Sequence, residues 1–392
     1  MNNAAQRATW IDYLRSSITV LVVAHHSSLA YTTFASFSKT AYILSTHPVV
    51  DSHRWVGLDI FEDFNDVFFM SLMFFISGLF TIPALERKKT GAFLGDRFYR
   101  LFVPFLFGVT ILMLLAYYPS FYLATGNRDI KTYIIDFFTV EAWPVGPPWF
   151  IWVLFAFTLL FTIVFLLFKD QLKKAAISIS QLKNRPWGFF ILFLLFTWIT
   201  YVPLRIIFGA HSWTGFGPFD FQLSRPLLYF GYFVTGALIG TIPWKDGLFA
   251  DDSRLVKNWL LWVAASLLVY AGLRMIGAPM LRMVESGKIE LFPAQLLYGT
   301  VYSLSIVCSC LAFLTTFKKW VSAEKPWWNS LSANAYAIYL LHYIFVLWYQ
   351  FFLLEVDCPA FVKFAIVFIA SLLSSWLVSY LFRKINLVRK FL

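Results

Sequence analysis

The chain has 392 residues, of which 59% are hydrophobic, 20% aromatic and only 14% charged, with a formal net charge of +11 at pH 7. A soluble globular domain is about half apolar and a quarter charged, so this composition excludes an ordinary water-soluble fold. The basic residues lie in the links between apolar stretches, which excludes nucleic-acid binding as their explanation and indicates membrane orientation.

Apolar stretches recur along the whole chain. A helix that crosses a hydrocarbon core of about 30 Å needs about 20 mostly apolar residues. Ten stretches meet or approach that length, the sixth being the shortest: 14–33, 64–82, 101–122, 149–168, 187–208, 227–242, 259–276, 294–317, 333–353 and 361–382. The sequence therefore predicts an all-α polytopic membrane protein of about ten transmembrane helices, with residues 1–392 forming a single membrane domain.

The Lys and Arg residues are distributed unevenly between the two sides of these spans. When alternate links are counted, 22 of the 32 fall on the side that holds both termini, Arg7, Arg389 and Lys390 among them. Basic residues favour the cytoplasmic side, so both termini are predicted to lie inside. One span more or fewer would scramble this bias, so the distribution also favours an even number of spans.

The first span carries Arg15, His25 and His26. At 100° per residue, the eleven steps from Arg15 to His26 place both on one helix face about 16 Å apart, while His25 points about 80° away. His26 is then near the middle of the membrane, where an ionisable group is costly and is a functional candidate. The alternative is that both histidines only hydrogen-bond to neighbouring helices.

Small and basic residues follow in the next two spans. Ser77 and Gly78 end the second span, where small residues allow helices to approach closely. Arg97 and Arg100 open the third span, one helical turn apart and on the same side of the membrane as Arg15. Guanidinium groups match phosphate oxygens, although arginines at this side also follow from the orientation bias alone.

The ninth span places a further histidine at mid-depth, because His342 is nine residues, or about 14 Å, beyond Ala333. The sequence thus predicts two layers, arginines that hold a phosphorylated ligand and histidines that move protons. In the first outer link, His47, Asp51 and His53 lack the regular spacing of a metal site, and no metal is predicted.

Together these residues resemble the membrane acyltransferase family 3 over nearly the whole chain. Arg15 and His26 fit its pattern of a basic residue, ten residues and a histidine, and Arg97 with Arg100 fits its Arg-x-x-Arg pattern. The segments FFISGLF, PWFIW and YLLH, the last ending at His342, are also similar to family segments. Residues 153–157 lack the acid common in O-acetylating members, so the chain looks more like the glucan-modifying branch.

The resemblance implies a membrane acyltransferase of the bacterial cytoplasmic membrane. Its members transfer an acyl group, here acetyl or succinyl, from cytoplasmic acyl-CoA to a hydroxyl of an extracytoplasmic glycan or related acceptor. Arg15, Arg97 and Arg100 would bind the phosphates of acetyl-CoA or succinyl-CoA. The acyl group, the acceptor and the oligomeric state stay open.

In this interpretation His26 acts as a general base or carries the acyl group transiently. His25 or Asp66 is expected to orient His26, and Asp12 is expected to pair with Arg15 at i,i+3. Ser77 and His342 are further candidate site residues.

Two other classes of protein are compatible with the same residues. In a transporter, the histidines and arginines would form a proton or anion pathway without covalent chemistry, although the sequence has no visible internal symmetry. A sensor would keep the arginines and bind a lipid or glycan without turning over coenzyme A.

Overall fold

The computed structural model describes residues 8–140, 142–386 and 391. Three residues of the predicted charge asymmetry, Arg7, Arg389 and Lys390, lie outside this part of the chain. The described residues are mostly helical with almost no sheet, which confirms the all-α fold class. The helices are α1 (Thr9–Leu29), α2 (Val56–Gly78), α3 (Thr81–Arg87), α4 (Thr90–Arg97), α5 (Val103–Phe107), α6 (Met113–Thr125), α7 (Ile130–Thr139), α8 (Trp149–Ser180), α9 (Pro186–Phe208), α10 (Pro226–Ile239), α11 (Arg254–Lys257), α12 (Trp259–Glu285), α13 (Leu291–Trp320), α14 (Pro326–Phe352) and α15 (Ala360–Phe382).

Short 3₁₀ turns at Tyr42–Leu44 and Gln181–Asn184 lie in the links between helices. Between α9 and α10, the two-residue strands β1 (Trp213–Thr214) and β2 (Phe221–Gln222) pair antiparallel.

Within the described residues, eight helical segments are long and apolar enough to cross a membrane. They are Val56–Arg87, Thr90–Thr125, Trp149–Asn184, Pro186–Phe208, Trp259–Glu285, Leu291–Trp320, Pro326–Phe352 and Ala360–Phe382. The protein is therefore a multi-pass membrane protein. The sixth predicted span corresponds to α10, which has only 14 residues. The count of ten and the orientation of the termini stay predictions.

The first predicted span, α1, has 21 residues but is not among these eight apolar segments. It carries Asp12, Arg15, His25 and His26, which lower its hydropathy. Its position explains why such a sequence is tolerated, because α1 packs against α2, α13, α14 and α15. A helix enclosed by other helices can satisfy polar side chains within the protein, which a lipid-facing helix cannot do.

The third predicted span is a composite helix. Two π-helical turns, Phe98–Phe102 and Gly108–Leu112, join α4, α5 and α6 into one rod. A π turn is rare and often lies at a functional site. The first of these turns contains Arg100, so Arg97 and Arg100 do not have the relative orientation of an ordinary i,i+3 pair.

Three glycines bring α2 and α10 into close contact. A Cβ atom would lie 2.0 Å from the Phe233 carbonyl oxygen if built on Gly78, and 2.0 Å from the Phe75 carbonyl oxygen if built on Gly236. At Gly240 it would lie 1.8 Å from the backbone of α2's C-terminal cap. The close helix approach expected at Ser77–Gly78 is thus confirmed, and it sets the position of the second span.

We expect Gly236→Ala to destabilise the protein by about 1–3 kcal/mol, because the added methyl group meets backbone that must move. Gly272→Ala in α12 is the matched control, since its Cβ would meet nothing within 4 Å. Thermal unfolding of both purified variants measures the effect. Equal melting temperatures for the two variants would contradict the packing argument.

Candidate active site

A cavity of about 250 Å³ lies between α1, α2, the composite third helix, α8 and α14. Its wall includes Arg15, Arg97 and Arg100, the three arginines expected to bind the acyl donor. Ser77 also lines it, with its hydroxyl donating to the Met73 carbonyl at 2.8 Å. The structure therefore brings four of the predicted site residues to one cavity.

The same cavity collects residues from the other two sequence segments that carry the family resemblance. Phe150 and Ile151 come from the PWFIW segment at the start of α8, and Tyr339 opens the YLLH segment of α14. The Tyr339 hydroxyl donates to the carbonyl of Pro147, which joins these two segments. Segments far apart in the sequence thus line one apolar passage that begins at the arginines.

The arginines at the mouth of the cavity differ in their surroundings. Arg15 lies 3.4 Å from Asp12, the pairing that their spacing predicts, and its side chain is 45% exposed. The Arg97 guanidinium lies 5.1 Å from the centroid of the Phe93 ring. Among the described residues, no carboxylate forms an ion pair with Arg97 or Arg100. These two cations are therefore available to an anionic ligand.

Tyr336 of α14 fixes the π turn at the cavity mouth, because its hydroxyl donates to the Arg100 carbonyl at 2.7 Å. Tyr336 also lines the cavity. Tyr336 is not among the site residues predicted from the sequence. Its only sequence signal is its position one helical turn before the YLLH segment.

His26 and His342 meet in the middle of the bundle. His26 Nδ1 lies 2.9 Å from the Val22 carbonyl oxygen and 3.3 Å from His342 Nε2. His342 Nδ1 lies 2.7 Å from the Tyr339 carbonyl oxygen. A carbonyl can only accept, so each Nδ1 carries the proton in the neutral ring. His26 Nε2 is then left with a free lone pair.

His26 and His342 differ in how far solvent or a substrate can reach them. His342 is completely buried, whereas His26 is partly accessible. The His342 ring contacts Tyr339 at a centroid distance of 5.9 Å, and Tyr339 lines the cavity. The passage from the arginines therefore ends within one side chain of the histidine pair.

His25 does not occupy the same position as His26. Its Nε2 lies 3.7 Å from the Glu62 carboxylate, and its ring meets the His26 ring edge-on at 5.3 Å. Its Nδ1 is buried without a hydrogen-bond partner in the described part of the chain. The structure thus gives His26 two orienting groups, Val22 and His342, and neither is His25.

Asp66, the other residue expected to orient His26, has a different partner. Its carboxylate accepts from Arg225 at 2.6 Å, and the Tyr302 hydroxyl is 3.4 Å away. The sequence offered Asp66 only as an acid on the neighbouring span and gave no information on Arg225, which immediately precedes α10 and lies 159 residues later. In place of the expected Asp66–His26 pairing, Asp66 forms this ion pair with the buried Arg225.

Gln350 is a site residue that the sequence analysis missed. Its Nε2 donates to the backbone carbonyls of His26 and Ser27 at 3.1 and 3.3 Å. Its Oε1 lies 2.8 Å from His47 Nε2, which donates to it. The only sequence signal was an amide side chain in the ninth apolar stretch, which also contains Asn334. Gln350 ties the end of α1 to the first outer link.

The outer link is also anchored by a buried ion pair, with Lys363 Nζ 2.6 Å from the Asp51 carboxylate and both side chains at most 1% exposed. His53 lies beside Asp51 at 3.3 Å and beside Asp357 at 3.1 Å. His47, Asp51 and His53 each have a protein partner. Among the described residues there is no group of three or more side chains placed to hold a metal ion.

Comparison with known proteins decides the family. The sequence profile of the acyltransferase domain, acyltransferase family 3, matches residues 8–380. The chain belongs to this acyltransferase family. The match confirms the family and the class of enzyme expected from the motifs, a transferase of acyl groups other than amino-acyl groups.

Curated relatives of this acyltransferase include the glucans biosynthesis protein C of Shigella dysenteriae serotype 1 (strain Sd197), 27% identical over 256 residues, and that of Escherichia coli O6:K15:H31 (strain 536 / UPEC), 26% identical over 260 residues. Each alignment covers 64% of this chain and 62% of the relative, so the chain spans less than two thirds of the length of these proteins. Their name agrees with the resemblance to the glucan-modifying branch. No solved structure matches the chain.

The outer link of the acyltransferase gives a pH-dependent contribution to stability. Burial lowers the pKa of His47 from 6.5 to about 4. Between these values the unfolded chain binds a proton that the folded chain does not, so stability falls as the pH drops through this window. At pH 5 the loss is about 2 kcal/mol.

We therefore expect His47→Gln to be less stable than the wild type at pH 7, and the difference to shrink by about 2 kcal/mol at pH 5. Unfolding curves of both proteins at the two pH values measure it. A difference that is the same at both values would show that His47 is not held neutral.

Proposed function

We propose that this acyltransferase moves an acetyl or succinyl group from a cytoplasmic acyl-CoA to a hydroxyl of an extracytoplasmic glycan or related acceptor, in a bacterial cytoplasmic membrane. One observation carries the proposal. A single cavity runs from Arg15, Arg97 and Arg100 to Tyr339, whose carbonyl holds His342 beside His26. The proposal treats residues 1–392 as one catalytic domain.

The arginine end of the cavity suits the nucleotide part of the donor. Three guanidinium groups at one mouth match the several phosphate oxygens of coenzyme A, and neither Arg97 nor Arg100 forms an ion pair with a carboxylate of the described chain. The deeper wall is mainly apolar and aromatic, as the thioester arm requires. The distance of about 16 Å from Arg15 to His26 along α1 is comparable to the length of that arm.

The histidine end suits acyl transfer. His26 Nε2 would take the proton from the acceptor hydroxyl while the hydroxyl oxygen attacks the thioester carbonyl carbon. The carbon–sulfur bond breaks, and the proton passes from His26 to the leaving thiolate. In the other route, His26 Nε2 attacks the thioester carbonyl carbon and the carbon–sulfur bond breaks to release the thiolate. The acceptor hydroxyl oxygen then attacks the acyl group, the bond to Nε2 breaks, and the hydroxyl proton passes to the thiolate. Both routes need the same free lone pair.

His342 would act on His26 and not on the substrates. Its Nε2 faces the N–H of His26 at 3.3 Å, so it stabilises the orientation in which His26 Nε2 is unprotonated. The competing interpretation as a transporter uses the same histidines and arginines. Membership of the acyltransferase family favours covalent chemistry.

We expect His26→Ala to lower acyl transfer by at least about 10²-fold, because the catalytic base is lost. Turnover of labelled acetyl-CoA and succinyl-CoA by the purified protein measures this, with mass analysis of protein and glycan products. His53→Ala is the matched control, since His53 lies in the outer link away from the cavity. Near wild-type activity of a folded His26→Ala protein would contradict the assignment.

Arg97→Ala should weaken donor binding by about tenfold or more, because a charge-assisted contact to phosphate is lost. Equilibrium binding of coenzyme A to the purified variant measures the change. Arg87→Ala is the control, since Arg87 is exposed near the same end of the bundle and does not line the cavity. If both variants bind coenzyme A as the wild type does, the phosphate role of Arg97 is wrong.

A further inference from the structure

A second cavity, of about 120 Å³, lies at the end of the bundle where α1 finishes, opposite the arginine mouth. Its wall is formed by the first half of α2, the last turns of α9, the middle of α12, the first half of α13 and the link that precedes α10. Nothing in the proposed chemistry uses it. Its size is about that of four water molecules, or one sugar ring.

Two ion pairs make part of this wall rigid. Arg225 is 3% exposed and donates to Asp66 at 2.6 Å and to the hydroxyls of Tyr229 and Tyr302 at 3.1 and 3.2 Å. Arg274 pairs with Asp63 across the cavity edge. In each of these two pairs a carboxylate neutralises the arginine, so neither Arg225 nor Arg274 needs an anionic ligand.

The same wall contains hydrogen-bond donors that have no partner. The Nε atoms of Arg205 and Arg225 are buried without an acceptor among the described residues. Arg205 lies over the Tyr298 ring at 4.7 Å but forms no ion pair with any described carboxylate. A buried donor without an acceptor is costly, so the cavity is arranged for a ligand that brings oxygen atoms.

The charges of the wall narrow the class of ligand. Asp63 and Asp66 line the cavity with carboxylate oxygens, which only accept hydrogen bonds, so a ligand in contact with them needs donors that an ionised phosphate or carboxylate lacks. A hydroxyl group can accept from a guanidinium and donate to a carboxylate at the same time. We propose that this cavity binds a neutral, hydroxyl-rich sugar ring.

The position of the cavity gives this binding a role in the proposed reaction, on which this part of the inference rests. Glu62 adjoins Asp63 in α2 and lies 3.7 Å from His25, whose ring touches that of His26. A sugar ring held at Arg205 is thus on the acceptor side of the histidine pair. The cavity is a subsite that holds the acceptor glycan while another hydroxyl reacts.

The test is calorimetric titration of the full chain in nanodiscs with a neutral gluco-oligosaccharide, and with the same oligosaccharide carrying a terminal uronic acid. Arg205→Met should weaken binding of the neutral sugar by about tenfold or more, since a charged donor is lost. Arg282→Met is the control, an exposed arginine near the end of α12 that does not line the cavity. Coenzyme A binding should be unchanged in both variants.

His211→Ala is a second variant, which tests the proposal even if Arg205→Met does not fold. His211 lines the cavity and is exposed, so its loss should weaken binding about threefold without unfolding the protein. Absence of sugar binding by the wild type, equal binding by all variants, or tighter binding of the uronic acid would each overturn the proposal.

The outcome is separable from that of the proposed acyl transfer. Sugar binding that depends on Arg205 in a protein without acyl transfer would support the subsite and reject the enzyme activity. Acyl transfer that is unaffected by Arg205→Met, with unchanged sugar affinity, would reject the subsite and leave the activity standing.

Discussion

The contact between His26 and His342 is the interaction on which the account depends. Two imidazoles lie inside an apolar bundle, where each polar nitrogen needs a partner. The carbonyl oxygens of Val22 and Tyr339 accept hydrogen bonds from the Nδ1–H groups of His26 and His342, respectively. His342 Nε2 also faces the N–H of His26. These contacts leave one lone pair, on His26 Nε2, and they fix α14 against α1. Tyr339 thereby becomes the inner wall of the arginine cavity.

The two ends of the bundle differ in how many of their cations form ion pairs. Near the start of α1, Arg97 and Arg100 face a cavity without a carboxylate partner in the described chain. Near its end, the cations Arg225, Arg274 and Lys363 are paired with Asp66, Asp63 and Asp51. Arginines without an ion pair favour a phosphorylated donor, and a wall in which carboxylates pair with most of the cations favours hydroxyl groups, which both donate and accept. The asymmetry follows the direction of the proposed transfer.

Much of this was predictable because hydropathy and helical spacing are local properties. Each of the ten apolar stretches is helical, and the arginines share one cavity as predicted. Helix ends were less predictable: α2 begins at Val56, eight residues before the expected start, because partners elsewhere neutralise acids such as Asp63, which pairs with Arg274. The π turn at Arg100 and the Gln350 contacts depend on tertiary packing, which spacing along one helix does not contain.

A structure of the full chain bound to coenzyme A, determined by electron cryomicroscopy, tests the central claim most directly. The account predicts phosphate density against Arg15, Arg97 and Arg100, with the thiol end of the ligand passing Tyr339 toward His26 Nε2. A nucleotide bound elsewhere, or a thiol directed away from the His26–His342 pair, would contradict it.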